Sequence, residues 1–424
     1  MPGAADIRAD LLKIYAAALE AVNGRRCVVE SLRAHRIEGL VHLVAIGKAA
    51  PAMAQGAVDV LGASVVDGLV ITRHGYKMVC LKTVYKHHGA AGELRGLTCM
   101  EAGHPLPDQH SLSAGQALLT LLQTLPDSSS VVFLISGGTS SLVEVLVPGI
   151  GLAELRKINQ WLLGSGLPID AINRVRKTLS CIKGGRLATF LNGRPALCLM
   201  ISDVPEDDPA LIGSGLLAPG VDMTEITSLD LPVWITALLK QAPPLPAADD
   251  PCFATVHHEI VANNALARRA AAVAAERLGY PVHRHEELQC GDALETGRAL
   301  ASQLRQGMPG LHIWGGETTV RLPDTPGRGG RCQSLALAAA QILQGSDDIY
   351  FLAAGTDGSD GPGEDAGALV DGATLARGIE AGLDAEQCLT MADAGRFLEG
   401  SGDLIHTGPT GTNVMDILLG VKVQ

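Results

Sequence analysis

The sequence predicts an α/β protein of two domains, and three observations carry that prediction. Short apolar runs alternate with Ala- and Leu-rich stretches of helical length along most of the chain. Such alternation builds a largely parallel sheet with helices on both faces. One segment, Gln241–Pro251 (QAPPLPAADDP), interrupts the alternation and reads as a stiff linker or domain edge. Domains are therefore expected at residues 1–245 and 246–424. A length of 424 residues agrees, at roughly 150 residues per domain.

The elements follow in order. Ile7, Leu11, Tyr15, Leu19 and Val22 recur at helical spacing and predict an amphipathic N-terminal helix. Asp6, Arg8, Asp10 and Lys13 interrupt any apolar region there, so a signal peptide is not expected. Val41–Ile46 reads as a buried strand and Ala49–Leu61 as a helix. Gly68–Thr72 is a strand, Ser111–Leu125 a helix with Ser111 at its N-cap, and Val131–Ile135 a strand. Ala171–Leu191 is helical with a break at Gly184-Gly185, and Pro195–Ile201 is a strand. Beyond the proline-rich segment, strands are expected at Ile260–Ala262, Pro281–Arg284, Leu311–Trp314, Thr318–Leu322 and Ile349–Ala354. Helices are expected at Ala265–Leu278, Leu294–Arg305 and Ser334–Leu343. Lys77–Cys99, with Lys82, Lys86, His87 and His88, reads as an irregular insertion.

Composition narrows the function. A net charge of −12 disfavours nucleic acid and anionic membrane as partners, and 3% aromatic residues leave little for a base-stacking surface. With 47% hydrophobic and 18% charged residues the chain is not disordered. Nine cysteines without a CxxC pair fit reduced thiols in a cytoplasmic protein better than disulfides or a zinc site. No apolar run reaches membrane-spanning length.

In open parallel sheets ligands bind beyond the carboxyl ends of strands. Those positions here are polar and glycine-rich: Gly47-Lys48, Ser136–Ser141 (SGGTSS), Ser202-Asp203 and Gly355–Gly358 (GTDG). Gly137 and Gly138 let backbone amides turn toward an anion, and Ser136, Thr139 and Ser140 add hydroxyls, which suits phosphate or carboxylate. The same sequence also serves as a plain glycine-rich turn. Neither a Walker A loop nor a usable GxGxxG is present, which argues against a nicotinamide cofactor. Lys48 either snorkels to solvent or places a cation over a reacting phosphoryl group. Asn173–Arg186 carries Arg174, Arg176, Lys177, Lys183 and Arg186, which form either a solvated basic face or an anion site.

Carboxylates complete the inventory. Asp203, Glu206, Asp207 and Asp208 lie in SDVPEDDP, Glu317 in a Gly-Gly-Glu-Thr turn, and Asp357 and Asp360 in GTDGSDGPG. Each alone reads as a cap or turn residue; together they offer metal ligands and a base for phosphoryl transfer. His87-His88 and His257-His258 read as surface residues.

Several segments in collinear order resemble the glycerate 2-kinase family with a MOFRL C-terminal domain. They are VAIGKAAPAMA (44–54), EAGHPLPDQHS (101–111), LISGGTSSL (134–142), INRVRKTLSCIKGGRL (172–187) and SDVPEDDPALIGSG (202–215). The C-terminal half adds GGETTV (315–320), GRGGR (327–331), AAGTDGSDGPG (353–363) and GDLIHTGPTGTNVMD (402–416). The resemblance implies a larger, Rossmann-like N-terminal domain and a smaller MOFRL α/β domain enclosing a cleft. It implies transfer of the γ-phosphoryl group of ATP to the 2-hydroxyl of D-glycerate with Mg²⁺. By the same resemblance Lys48 and Arg331 are catalytic, and Asp203 is the catalytic candidate that either binds metal or accepts the 2-hydroxyl proton. Ser136, Gly137, Gly138, Thr139, Ser140, Lys183 and Asn413 hold nucleotide or phosphate, and Arg176 and Lys177 hold substrate. Glu317 and Asp357 are metal candidates. Partners are then small molecules, with a homo-oligomer left open. Some relatives carry the label hydroxypyruvate reductase, the alternative activity. Cys332, Gln333 and Ser334 stand where the family has Asn-Gln-Glu.

Overall fold

The computed structural model describes residues 4–37, 39–76, 96–220 and 229–423. The chain separates into two compact units: Gly24–Val261, and a second unit of Met1–Asn23 with Ala262–Gln424. Each has its own six-stranded sheet. This division differs from the expected 1–245 and 246–424 at both ends, and local bonding explains why. The proline-rich segment is fastened to the first unit: the Pro243 carbonyl accepts from Arg186 Nε at 3.1 Å and Nη2 at 2.6 Å. The N-terminal helix Ala4–Ala21 is fastened to the second. Arg8 bonds Asp371 at 2.6 Å and Asp403 at 2.8 Å, and the Tyr15 hydroxyl donates to the Gly355 carbonyl at 2.7 Å.

In the first unit β1 (Val41–Ile46), β2 (Val65–Arg73), β3 (Leu97–Ala102), β4 (Ser130–Ile135), β5 (Ala196–Ile201) and β6 (Val256–Ala262) lie in the order β3-β2-β1-β4-β5-β6. β1 runs parallel to β2 and β4, β2 to β3, and β4 to β5. Every residue of β1 is buried, as a strand covered on both faces requires, and its one polar member, His42, meets Ser129 Oγ at 3.0 Å. Helix Gln109–Thr124 is capped by Asp108 rather than Ser111. Ser111 instead completes the box, its amide donating to Asp108 Oδ1 at 3.0 Å. The expected helix over 171–191 is a helix Ile169–Thr178 and a 3-10 turn Arg186–Leu191. Gly184 and Gly185 break it at φ +62° and +85°. The irregular reading of Lys77–Cys99 lies, over 77–95, outside the described residues; Leu97–Cys99 belongs to β3.

In the second unit β7 (Val282–Gln289), β8 (Gly310–Gly316), β9 (Ile349–Gly355), β10 (Gly367–Asp371), β11 (Leu404–Ile405) and β12 (Asp416–Lys422) take the order β11-β10-β9-β12-β8-β7. Only β7 and β8 are parallel; β12 pairs antiparallel with β8 and β9, and β10 with β9 and β11. The parallel sheet expected of the larger N-terminal domain is the first unit's; this second sheet is mixed. β9 and β10 are joined by a loop with no helix, too short a connection for a parallel crossover. The expected strand Thr318–Leu322 is reduced to one bridge, Thr319 with Asp292. Pro323 and Pro326 follow and supply no amide to extend a ladder.

Candidate active site

The strand order of the first unit reverses direction between β1 and β4, the switch point at which doubly wound sheets bind ligands. Lys48 and the SGGTSS turn both fall there. The Ser136 amide donates to the Ile46 carbonyl at 3.0 Å, and the Lys48 amide to the Gly137 carbonyl at 2.9 Å. Ser136 Oγ accepts from the Ala49 amide at 3.1 Å, and Thr139 Oγ1 donates to the Ile46 carbonyl at 2.9 Å. The two strand ends are thus sewn into one surface. Gly47 makes this approach workable: a Cβ on it would stand 2.1 Å from Ser136 Oγ. Gly138 adopts φ +89° ahead of the short helix Thr139–Leu142. A Cβ there would meet His104 Cδ2 at 3.0 Å and Lys48 Cγ at 3.4 Å, so Lys48 and His104 flank the turn.

The hydroxyls divide their work. Ser136 and Thr139 are fully buried; Ser136 Oγ reaches across to Ala49, and Thr139 Oγ1 also donates to the turn's own Ser136 carbonyl at 2.7 Å. Ser140 reaches the next loop, its Oγ lying 2.8 Å from Ser214 Oγ. That loop begins with Ser202 and the half-buried Asp203 at the end of β5.

The side chains of the basic segment bond to other parts of the first unit. Lys183 is buried and ion-paired with buried Glu144. Arg186 donates to the carbonyls of Lys177 and Ser180, each at 3.0 Å, besides Pro243. Arg176 Nε donates to Asn159 Oδ1 at 2.8 Å, and Lys177 Nζ to the Ala210 carbonyl at 2.8 Å. Burial pushes the Arg176 and Lys177 pKa values down. These cations fasten the elements around the switch point to one another.

In the second unit Arg331 opens helix Arg331–Leu343 behind Gly330. Its Nε and Nη2 grip Asp416 at 2.8 and 2.9 Å, and its Nη1 lies 3.0 Å from Glu317 Oε1. Burial would lower its pKa, but Asp416 and Glu317 outweigh that and hold the guanidinium charged. Asp416 is brought there by register, since it sits opposite Gly316 on β8 and Gly355 on β9. Buried Asp360 accepts from the amides of Cys332 at 3.1 Å and Gln333 at 2.8 Å. Burial raises the Asp360 carboxyl to about 7, against those amides. Asp357 Oδ1 accepts from the Ser359 amide at 3.0 Å. Asn413 is buried in the segment that holds Thr356, whose Oγ1 accepts from the Val414 amide at 2.8 Å.

Among the expected residues, Lys48, Ser136, Gly137, Gly138, Thr139 and Ser140 come together directly, with Asp203 at the head of the loop that Ser140 touches. Arg331 and Glu317 form a second group. Sequence reasoning missed Asp416, His104, Ser214 and the cap made by Asp360. Asp416 and His104 stand in the segments GTNVMD and EAGHP, but nothing in a linear pattern signals their partners.

A doubly wound sheet with a lysine and a glycine- and hydroxyl-rich turn at its switch point defines an α/β enzyme that handles anionic, phosphate-like groups. Comparison with known proteins gives the family. Residues 10–229 match the domain of unknown function DUF4147, and residues 310–416 match the MOFRL family. The chain is 34% identical to the D-glycerate 2-kinase of Thermotoga maritima over 97% of both chains. It is 37% identical to a putative hydroxypyruvate reductase of Agrobacterium vitis, over 96% of this chain and 92% of that one. The crystal structure of Thermotoga maritima glycerate kinase superposes with a TM-score of 0.82 at 33% identity, covering 99% of this chain and 100% of the other. The chain belongs to the glycerate kinase family built from the DUF4147 and MOFRL regions.

Proposed function

We propose that this protein transfers the γ-phosphoryl group of ATP to the 2-hydroxyl of D-glycerate, giving 2-phosphoglycerate and ADP. The observation that carries the reading is Lys48 beside the Ser136–Ser140 turn at the switch point, in a chain similar end to end to a D-glycerate 2-kinase. In the reaction the bond from the γ-phosphorus to the bridging oxygen breaks, and a bond to the substrate's 2-oxygen forms. Lys48 and the turn's amides stabilise charge on the phosphoryl oxygens. Asp203 accepts the hydroxyl proton. Arg331 is a second phosphoryl-stabilising cation, Asn413 a nucleotide contact, and Arg176 and Lys177 hold the substrate side in register.

Mg²⁺ takes hard oxygen donors, and Asp357 and Glu317 supply oxygens of that kind, although Glu317 already shares its carboxylate with Arg331. Bound Mg²⁺ neutralises phosphate charge. A cytoplasmic setting accompanies this reading: the described cysteines are free thiols, and no described helix is long and apolar enough to cross a membrane.

The Agrobacterium relative favours one second reading, NAD(P)H-dependent reduction of hydroxypyruvate. Two assays separate the readings. ATP, Mg²⁺ and D-glycerate should yield 2-phosphoglycerate by phosphorus NMR. NAD(P)H oxidation with hydroxypyruvate, and no phosphorylated product, would replace the kinase with the reductase.

A further inference from the structure

Three side chains of the first unit that play no part in the reaction above converge beyond the end of β2. His74 directly follows that strand, Asp108 caps helix Gln109–Thr124, and His110 sits in the helix's first turn. His74 Nε2 lies 2.7 Å from Asp108 Oδ2, and His110 Nδ1 lies 3.4 Å from the same oxygen. One ligand atom from each of the three falls within 4.8 Å of the others. The two imidazoles meet edge to face with centroids 5.2 Å apart.

We propose that His74, Asp108 and His110 form a binding site for one divalent transition-metal ion of the zinc class. Two imidazole nitrogens and one carboxylate oxygen are the donor set such ions take, with a remaining position for water. Mg²⁺ is excluded by the same chemistry, since it prefers oxygen donors. The site is therefore distinct from the Asp357 and Glu317 oxygens.

The carboxylate is already aimed. Its Oδ1 is held by the Ser111 amide at 3.0 Å and hydroxyl at 3.3 Å, which leaves Oδ2 for the histidines. Outer hydrogen bonds of this kind fix a metal ligand's orientation. Partial burial pushes the Asp108 carboxyl up, but hydrogen bonds from His74, the Ser111 and Gly103 amides and His110 hold it well below the usual carboxylate range. The imidazole side chains are 48% and 68% exposed, so an ion can enter without unfolding.

The site has a structural consequence. It joins the end of β2 to the start of the helix, across the connection from residue 103 to residue 108. Gly103 lies against Asp108, where a Cβ would stand 2.9 Å from its Cγ, and His104 packs on Gly138 beside Lys48. A bound ion would fix the segment that places His104 against the phosphate turn.

The test uses the full-length protein, stripped with EDTA and dialysed, without ATP or glycerate, so its outcome is independent of the kinase reading. Zn²⁺ is titrated against a chromophoric chelator, and Co²⁺ is followed by its visible d–d absorption. One ion per chain is expected, with His74→Ala and His110→Ala each weakening binding about tenfold or more and the double variant abolishing it. His285→Ala, in the second unit's stack of His285 on Trp314, is expected to bind as wild type does. Both altered histidines are exposed, and circular dichroism confirms that the variants fold. The proposal is overturned by wild-type protein that takes up neither ion, or by unchanged affinity in the double variant.

Discussion

The two sheets assemble functional groups by opposite means. In the first unit β1 to β5 run parallel, so their carboxyl ends share one edge. Lys48, the Ser136 turn and Asp203 are gathered simply by following β1, β4 and β5. In the second unit the sheet is mixed, and strand ends alternate with strand starts. There Asp416, the first residue of β12, lies opposite the last residues of β8 and β9. Glu317 and Asp416 meet on Arg331 because antiparallel register puts them side by side. Topology collects the first set, and ion pairing clamps the second. The parallel edge thus sets Lys48 beside the Ser136 turn, while the clamp spends most of Arg331's hydrogen-bonding capacity on Asp416 and Glu317.

The largest effect should come from a cation that the sequence could not tell apart from the others of its segment. Lys183→Ala leaves Glu144 buried without its partner, a loss of about 3–5 kcal/mol. Urea unfolding should show it, whereas kcat of the protein still folded at low temperature should stay near wild type. A rate collapse in folded protein would return Lys183 to the phosphate site. Lys48→Ala should do the reverse, with kcat falling about 10²–10³-fold and the unfolding midpoint unchanged. Arg331→Ala should fall between them, losing rate and also stability, because Asp416 is buried beneath it.

Gly47→Ala comes next. Its Cβ would drive into Ser136 Oγ and the Ser136 carbonyl, and φ of +130° adds strain, so about 1–3 kcal/mol should be lost. Thermal melting reads the loss. A wild-type melting temperature would mean that β1 and β4 are not held as closely as described.

A pH dependence is expected in the second unit. Asp360 has its pKa raised by burial to about 7. Its protonated form therefore contributes stability that is full below the ordinary carboxylate range near ~4 and is lost as pH rises toward 7. Asp360→Asn cannot ionise. The melting temperature of wild type relative to this variant should accordingly fall between pH 4 and 8. A constant difference would show that Asp360 is ionised throughout.

The legibility of the site followed the same division. Lys48 and SGGTSS were readable because a buried strand followed by glycine and hydroxyls marks a carboxyl end in any parallel sheet. Arg331 was readable as a residue but not as a clamp, since Asp416 is 85 positions away and is brought in by register. Lys183, Arg176 and Lys177 looked alike in the linear pattern. Burial separated them, pairing the first with Glu144 and turning the others onto Asn159 and the Ala210 carbonyl. The edge of the first unit differs from the expected one for a related reason. Four prolines in Gln241–Pro251 signal stiffness, but only the fold shows that Arg186 pins that stiff segment to the first unit.

What the sequence determined by itself is local and periodic. It set the α/β class, the apolar strands, the glycine-rich ends and the kind of chemistry those ends invite, because each depends on neighbouring residues along the chain. Tertiary structure decided which way each strand of the second sheet runs, that residues 4–21 pack with the C-terminal half, and which of many charges face one another. Those outcomes depend on connection lengths, register and burial summed over the whole chain. The free energy of a charge is fixed by what surrounds it after folding, and no window of sequence contains that surrounding.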